Sequence, residues 1–178
     1  MALLRHGAFV EDPWTFPAAD APLPEGGPIA VALDRFLAER EALLSRGTPI
    51  GVVLAPGEGT GGIAPSLDRL ALVALRFDRF ADGRPYSVAR QLRDAHRFRG
   101  EIRAVGDVLR DQVVLLLRAG FDALEIADPR TVAAIMAGSL VAPTHHYQPA
   151  AGYAEERERS GPPWRRRSRS ISTRAGGS

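Results

Sequence analysis

The sequence predicts an α/β protein with a mainly parallel sheet of about four strands, joined by βαβ crossovers into an open sheet or a half-barrel. The first observation is a set of short apolar runs without strict alternation, which is typical of parallel strands buried on both faces. The second is that helical patterns separate these runs, and the third is that the connections are short. A short N-terminal β segment and a disordered C-terminal tail complete the expected organisation.

The N-terminal region is expected to hold a short β segment, a loop and a helix. Residues 1–12 alternate weakly and fit a short hairpin or edge strand. Residues 14–28 are rich in Pro, Ala and Gly, which indicates a loop. Apolar residues then recur at near-helical spacing and are followed by a basic residue and a glycine, so we predict a helix over 30–45.

Four apolar runs define the predicted strands, and helical patterns lie between and after them. The runs read IGVVLA, LALVALRF, EIRAVG and FDALEIA, and they span 50–55, 70–77, 101–106 and 121–127. Helices are predicted at 86–98, 108–119 and 131–138. Each strand–helix–strand unit is expected to cross over with a right-handed turn, which keeps successive strands parallel.

We expect one domain and one tail in this chain of 178 residues. Residues 1–150 are long enough for a single α/β domain, and residues 151–178 are predicted to be disordered because they are polar and rich in Arg, Gly, Pro and Ser. The tail holds seven Arg against three Glu, so the folded body is slightly acidic and disfavours nucleic acid as a partner. The tail arginines fit RNA, acidic lipid or an acidic protein, although a solvated tail is the commoner outcome.

The composition excludes several classes of function. The chain has no Cys, which excludes disulfides, thiolate catalysis and thiolate-ligated iron–sulfur clusters. Adjacent side chains such as those of His145 and His146 rarely converge on one ion, so no metal site is predicted. No apolar run is long enough for a membrane span, and the N-terminus lacks the apolar core of a signal peptide. We therefore expect a cytoplasmic protein without a membrane partner.

The first candidate site lies at the carboxyl ends of the predicted strands, where parallel α/β sheets bind their ligands. The loops after the second and third strands each bring carboxylates and guanidinium groups to the same edge. Such a group fits an anion or partner site, because an arginine fork binds oxyanions and carboxylates through two hydrogen bonds. The ordinary alternative is that Asp caps helices and Arg pairs with it on the surface. The candidate binding residues are Asp82, Gly83, Arg84, Ser87, Arg103, Gly106, Asp107, Arg110, Asp111 and Gln112.

A second candidate follows the first predicted strand. Residues 57–62 spell G-x-G-x-x-G, and Asp78 lies 21 residues after Gly57, where a dinucleotide fold places its ribose-binding carboxylate. Pro56 and Pro65 flank the motif, and the helix that should follow has room for only about two turns. Phosphate binding needs a sturdy helix N-terminus, so a surface loop is the favoured interpretation.

The most distinctive part of the chain is the segment 80–125. It contains DGR-x-x-S at 82–87 and GE-x-RAVGDVLRDQ at 100–112, followed by RAGFDALE. These motifs resemble the domain of unknown function 934 family, with Pro85 standing where that family usually has a second Gly. Members are commonly labelled as oxidoreductases of sulfite reduction and are encoded beside the sulfite reductase haemoprotein. The resemblance therefore implies a role in assimilatory sulfite reduction.

The functional expectation is an accessory protein that docks on the sulfite reductase haemoprotein or on its electron donor through the loops 82–87 and 106–112. The positively charged hydrogen-bond donors would be Arg84, Arg103 and Arg110. The carboxylates of Asp82, Asp107 and Asp111 would hold the loops in shape or complement charges on the partner. One alternative is an enzyme or binding protein for a small anion, or for a phosphorylated nicotinamide or flavin cofactor, at the same strand edge. Another is a scaffold or assembly factor without a small-molecule ligand. The sequence itself identifies no cofactor.

Overall fold

A sheet of seven strands organises the part of the chain that the computed structural model describes, residues 1–79 and 82–138. The strands are β1 (Ala2–Arg5), β2 (Ala8–Val10), β3 (Ile29–Ala32), β4 (Ile50–Leu54), β5 (Leu72–Phe77), β6 (Glu101–Gly106) and β7 (Ala123–Ile126). Their order across the sheet is β2-β1-β7-β6-β5-β4-β3. Strands β3 to β7 are parallel, whereas β1 runs antiparallel to both β2 and β7. The predicted α/β class is confirmed, but the expected count of about four strands was too low.

The undercount has a physical cause at β3. Its last three residues fall in the predicted helix 30–45, because the apolar residues that follow recur at a near-helical spacing. In the structure, Ile29 instead pairs with Ile50 on β4, and the helix begins only at Leu33. The pairing with a distant strand decides the conformation of a segment whose local pattern fits both structures.

Helices form in all four predicted regions, with ends that differ from the predicted ones by up to five residues. They are α1 (Leu33–Ala38), α2 (Arg40–Leu44), α3 (Arg84–Asp94), α4 (Val113–Ala119) and α5 (Pro129–Met136), with 3-10 turns at Thr60–Gly62, Ala64–Arg69 and Arg110–Gln112. The predicted helix 30–45 is divided at Glu39 into α1 and α2. Gly120 ends α4 with a φ of 104°, and Asp128 caps α5 by accepting hydrogen bonds from the backbone N–H groups of Arg130 and Thr131.

The apolar core lies on one face of the sheet. Right-handed crossovers between consecutive parallel strands place their helices on the same face, and α1 packs on β3 and β4, α3 on β5, and α5 on β7. The side chains that point to this face alternate along each strand. The buried core joins them to the helices through Val31, Phe36, Val52, Leu75, Leu92, Ile102, Leu116, Leu124 and Ile135, among others.

The short connection between the two edges of the sheet shows that the sheet is strongly curled. Strands β2 and β3 are at opposite edges, yet Val10 at the end of β2 is only five residues before Thr15, which pairs with Ile29 on the outer edge of β3. Five residues of extended chain reach at most about 18 Å. Six strand spacings in a flat sheet would separate the two edges by roughly 29 Å. The sheet therefore bends around its helix-free face, in the manner of a half-barrel.

The inner face of this curve is lined partly by small residues. Ala30, Gly51 and Leu72 are neighbours across β3, β4 and β5. A Cβ atom added to Gly51 would lie 2.9 Å from the Cβ of Leu72 and 3.1 Å from that of Ala30. Because curvature brings the inner side chains together, only glycine fits at this position without displacing its neighbours.

Several predictions fall outside the described residues. These are the end of the expected domain at 139–150, the two adjacent histidines, and the tail 151–178. Within the described ranges, no helix has both the length and the apolar character that a membrane crossing requires.

Candidate functional site at the strand ends

The loops that follow β5 and β6 begin at the same edge of the sheet. The two strands are parallel neighbours, and Phe77 at the end of β5 is paired with Gly106 at the end of β6. The backbone N–H of Asp107 donates to the carbonyl oxygen of Phe77 at 2.8 Å, which ties the second loop to the first strand. We call the surface formed by residues 82–87 and 106–112 the rim.

A glycine makes this close approach of the two strand ends possible. Gly106 has a φ of 92°, a conformation that side-chain-bearing residues rarely adopt. A Cβ atom at this position would lie 2.5 Å from the carbonyl oxygen of Phe77. The glycine of the GDVLRDQ segment is therefore required by the geometry of the turn.

A buried side-chain bridge joins the two loops of the rim. Gln112, at the end of the 3-10 turn before α4, is buried, and its Oε1 accepts the backbone N–H of Leu109 at 3.1 Å. Its side chain also hydrogen-bonds the hydroxyl of Tyr86 in the first turn of α3. Burial is the main reason that the pKa of Tyr86 is raised, and the negative charge of Asp111 adds to the effect. The ring of Tyr86 also packs edge-on against Phe77, with centroids 5.6 Å apart.

The Asp and Arg of the DGR motif form a bidentate ion pair within the rim. Asp82 Oδ1 accepts from Arg84 Nε at 2.9 Å and from the Arg84 backbone N–H at 3.0 Å, while Oδ2 accepts from Nη2 at 2.7 Å. The side-chain hydrogen bonds of Arg84 lower the pKa of Asp82 to about 2. The fork of Arg84 is thus already occupied by a carboxylate of its own loop, and it holds the entrance to α3 in one conformation.

The glycine-rich stretch after β4 lies beside this pair without forming a dinucleotide site. A Cβ atom at Gly57 would lie 3.2 Å from Arg84 Nη1, so the guanidinium group covers this glycine. Glu58 folds back to accept the backbone N–H of Ala55 at 2.7 Å. The chain between β4 and β5, described throughout, forms 3-10 turns instead of the helix that a pyrophosphate requires. Asp78, the expected ribose ligand, is paired with Arg76 Nε at 2.8 Å.

The structure brings nine of the ten candidate residues to the rim. The exposed members are Gly83, Arg84, Ser87, Gly106, Asp107, Arg110 and Asp111, while Asp82 is half-buried and Gln112 is buried. The apolar residue Leu109 lies among them with 37% of its surface exposed. Asp128 and Arg130, after the neighbouring strand β7, are also exposed.

Arg103 is the exception, because it lies within β6 and not in a loop. The sequence predicts Arg103 as a donor at the rim. Its side chain is only 1% exposed, so it cannot act as one. Its Nε donates to Glu101 Oε1 at 2.8 Å, and its Nη1 donates to Asp12 Oδ2 at 2.6 Å. The guanidinium carbon stands 5.7 Å from the centre of the Phe16 ring. Arg103 thus belongs to the inner face of the curled sheet.

Glu125 is a further charged residue near this inner cluster. It occupies β7 in register with Leu3, two positions beyond the residue that pairs with Arg103. Burial raises the pKa of Glu125, the positive charge of Arg103 opposes the shift, and the negative charge of Asp12 adds to it. The alternation of Glu101 and Arg103 in EIRAVG is the sequence signal for a polar inner face, since residues two apart share one face of a strand.

Two kinds of chemistry follow from this arrangement. The rim presents charges of both signs on a braced, exposed surface, whereas the inner cluster holds a buried guanidinium between carboxylates. Across the described residues, no three or more His, Asp or Glu side chains gather closely enough to hold a metal ion.

Comparison with known proteins places the rim within a recognised family segment. The model of a family described as "Bacterial protein of unknown function (DUF934)" matches residues 51–156. The match begins in β4 and includes both loops of the rim, and it leaves β1 to β3 and the loop 11–28 outside. No curated protein has a significant match to this sequence.

Proposed function

The chain belongs to the DUF934 family of bacterial proteins, and from this premise we propose that it is an accessory protein of assimilatory sulfite reduction. It acts in the cytoplasm by docking on the sulfite reductase haemoprotein or on that enzyme's electron donor, and the rim is its docking surface. The link to sulfite reduction comes from the resemblance of the sequence motifs to this family. The docking surface is argued from the structure.

One observation carries the assignment of the surface. The motifs on which the resemblance depends, DGR-x-x-S and GE-x-RAVGDVLRDQ, are the segments whose ends fold together into the rim. In the rim itself, residues 82–87 and 106–112, eight of the thirteen residues are exposed, so these segments do more than build the apolar core. A surface that is both distinctive in sequence and exposed is best explained by recognition of a partner.

The bracing of the rim favours a macromolecular partner. The Tyr86–Gln112 bridge and the Asp107–Phe77 hydrogen bond fix the two loops relative to each other before any partner binds. Fixed loops reduce the conformational entropy that is lost on association. The exposed Leu109 between charged residues gives the surface an apolar centre and a charged surround, which is the usual anatomy of a protein interface.

The alternative of a small anion or a phosphorylated cofactor at this edge is less well supported. Both oxygens of Asp82 bind the fork of Arg84, at 2.9 Å to Nε and 2.7 Å to Nη2, so neither of these two nitrogens is left for an anion. The glycine-rich stretch lacks the helix that nucleotide phosphates need. A purified protein that carries bound flavin, or that nicotinamide cofactors stabilise against heat, would reverse this preference.

A matched pair of charge reversals tests the docking surface. Arg110→Glu changes the rim, and Arg99→Glu makes the same change in charge at the opposite ends of the strands, just before β6. We expect Arg110→Glu to weaken binding to the reductase or its donor roughly five- to tenfold, and Arg99→Glu to leave it unchanged. Binding is measured with purified proteins after thermal unfolding has shown that both variants are folded.

A cellular experiment addresses the pathway independently. Deletion of the gene should impair growth when sulfate is the sole sulfur source, and cysteine should restore it. Growth on sulfate that is unaffected by deletion would contradict the role in sulfite reduction. Equal binding by the two charge variants would contradict the rim and leave the pathway untouched.

A further inference from the structure

We propose that the outer edge of the Arg103 guanidinium is a binding site for a small oxyanion, and that Asp12 occupies this site in the free protein. The site lies on the inner face of the sheet, away from the rim. It therefore goes beyond the docking proposal and does not depend on it.

The three nitrogens of the Arg103 guanidinium differ in their hydrogen bonding. Its Nε is bound to Glu101 at 2.8 Å and its Nη1 to a single oxygen of Asp12 at 2.6 Å. Its Nη2 is fully buried and makes no hydrogen bond with the described residues. The Nη1 and Nη2 groups form a planar edge that binds two oxygens of one oxyanion side by side. Asp12 supplies only one oxygen, so half of this edge is unused.

Small residues flank Arg103 on the two neighbouring strands. On the inner face Arg103 is flanked by Ala74 on β5 and by Ala123 on β7, which are its partners across the sheet. Methyl side chains at these two positions place no bulky group beside Arg103 in the sheet. The ring of Phe16 lies over the guanidinium and helps to fix its plane.

The surrounding charges are compatible with an anion. Glu101 binds Arg103 on the Nε side and is also within 3.5 Å of Arg5, so its charge is shared between two guanidinium groups. Glu125 retains its proton more readily than an ordinary glutamate, because burial raises its pKa.

Access to the site passes through Asp12. Its side chain is 34% exposed, while that of Arg103 is 1% exposed, so one carboxylate separates the guanidinium from solvent. Asp12 lies in an irregular segment between β2 and Thr15, with its other oxygen bound to the backbone N–H of Trp14 at 3.1 Å. If this carboxylate is displaced, Nη1 loses its partner and can bind an oxyanion together with Nη2.

The test is chemical rescue of a variant that lacks the internal carboxylate. Asp12→Ala removes the competitor, and Asp20→Ala removes an equal charge from the same loop at an exposed position. Thermal unfolding of both variants and of the unaltered protein is followed in sodium formate, in sodium sulfite and in sodium chloride at equal ionic strength. Formate probes a planar carboxylate site, and sulfite probes a site for sulfur oxyanions.

We expect Asp12→Ala to melt at a lower temperature than Asp20→Ala, and formate or sulfite to raise its melting temperature beyond the effect of chloride. Calorimetry should show the rescuing anion binding Asp12→Ala about tenfold more tightly than the unaltered protein, because one charge-assisted contact no longer competes. If Asp12→Ala does not fold, Asp12→Asn, which keeps the volume and removes the charge, is measured instead. An oxyanion response no larger than the chloride response, or equal in the Asp12 and Asp20 variants, would overturn the proposal.

Discussion

Replacing Gly106 by alanine should destabilise the protein through the turn on which the rim is built. A residue with a Cβ atom at a positive φ costs about 1–2 kcal/mol, and the φ of Gly106 is 92°. The added atom would lie 2.5 Å from the carbonyl oxygen of Phe77, so the Asp107–Phe77 hydrogen bond of 2.8 Å must lengthen or break. Loss of that bond adds about 1 kcal/mol. We therefore expect Gly106→Ala to lower the free energy of unfolding by about 2–3 kcal/mol.

Urea denaturation followed by circular dichroism measures this change. A loss of this size corresponds to a fall of roughly 1–2 M in the midpoint if the denaturant slope is unchanged. Gly59→Ala is the matched control, because Gly59 has a φ of −105° and open space around its Cβ position. It should change stability by no more than about 0.5 kcal/mol. Equal midpoints for the two variants would refute the close approach of the strand ends.

Three further predictions concern single side chains of the rim and the inner face. Tyr86→Phe removes the hydroxyl that Gln112 binds, and should lower the free energy of unfolding in urea by about 1–2 kcal/mol because a buried amide loses a partner; an unchanged midpoint would contradict the bridge. The pKa of Asp82 is lowered from 3.8 to about 2, so its contribution to stability is present above its ordinary pKa and is lost as the pH falls through about 2. Carboxyl NMR titration checks this value, and Asp82→Asn should abolish the dependence. Burial raises the pKa of Glu125 above 4.5, so its ionisation destabilises the fold above that pH, and Glu125→Gln should raise the urea midpoint near pH 7 but not near pH 4. A midpoint that falls near pH 7 would show that the charged form is instead stabilised.

The sequence predicts some strands well and others poorly. The difference depends on whether a strand is defined by its own residues or by pairing with residues distant in the sequence. Strand β6 was predicted at its observed bounds, Glu101–Gly106, because an apolar run ends there at a glycine. Strand β3 was missed because four residues carry too short a pattern to separate a strand from the first turn of a helix. What makes it a strand is its pairing with Ile50, about twenty residues further along the chain.

The same distinction holds for the candidate sites. The two loops of the rim could be placed together from the sequence, because parallel neighbouring strands end at one edge of a sheet. Arg103 was predicted at the rim, but it lies within β6. The charged residues two apart in EIRAVG indicate instead that one face of this strand is polar. Its contact with Asp12 joins residues 91 positions apart, and it arises only because the sheet curls. No local sequence pattern predicts a contact between residues so far apart in the chain.

Hydrogen exchange tests the central claim most directly. Exchange of backbone amides is measured for this protein alone and with the purified sulfite reductase haemoprotein or its electron donor. If the rim is the docking surface, amides in 84–87 and 107–112 should become protected by the partner, while those at the opposite ends of the strands, near 46–49 and 99–100, should exchange as before. Protection confined to the opposite ends, or absent with both partners, would contradict the account.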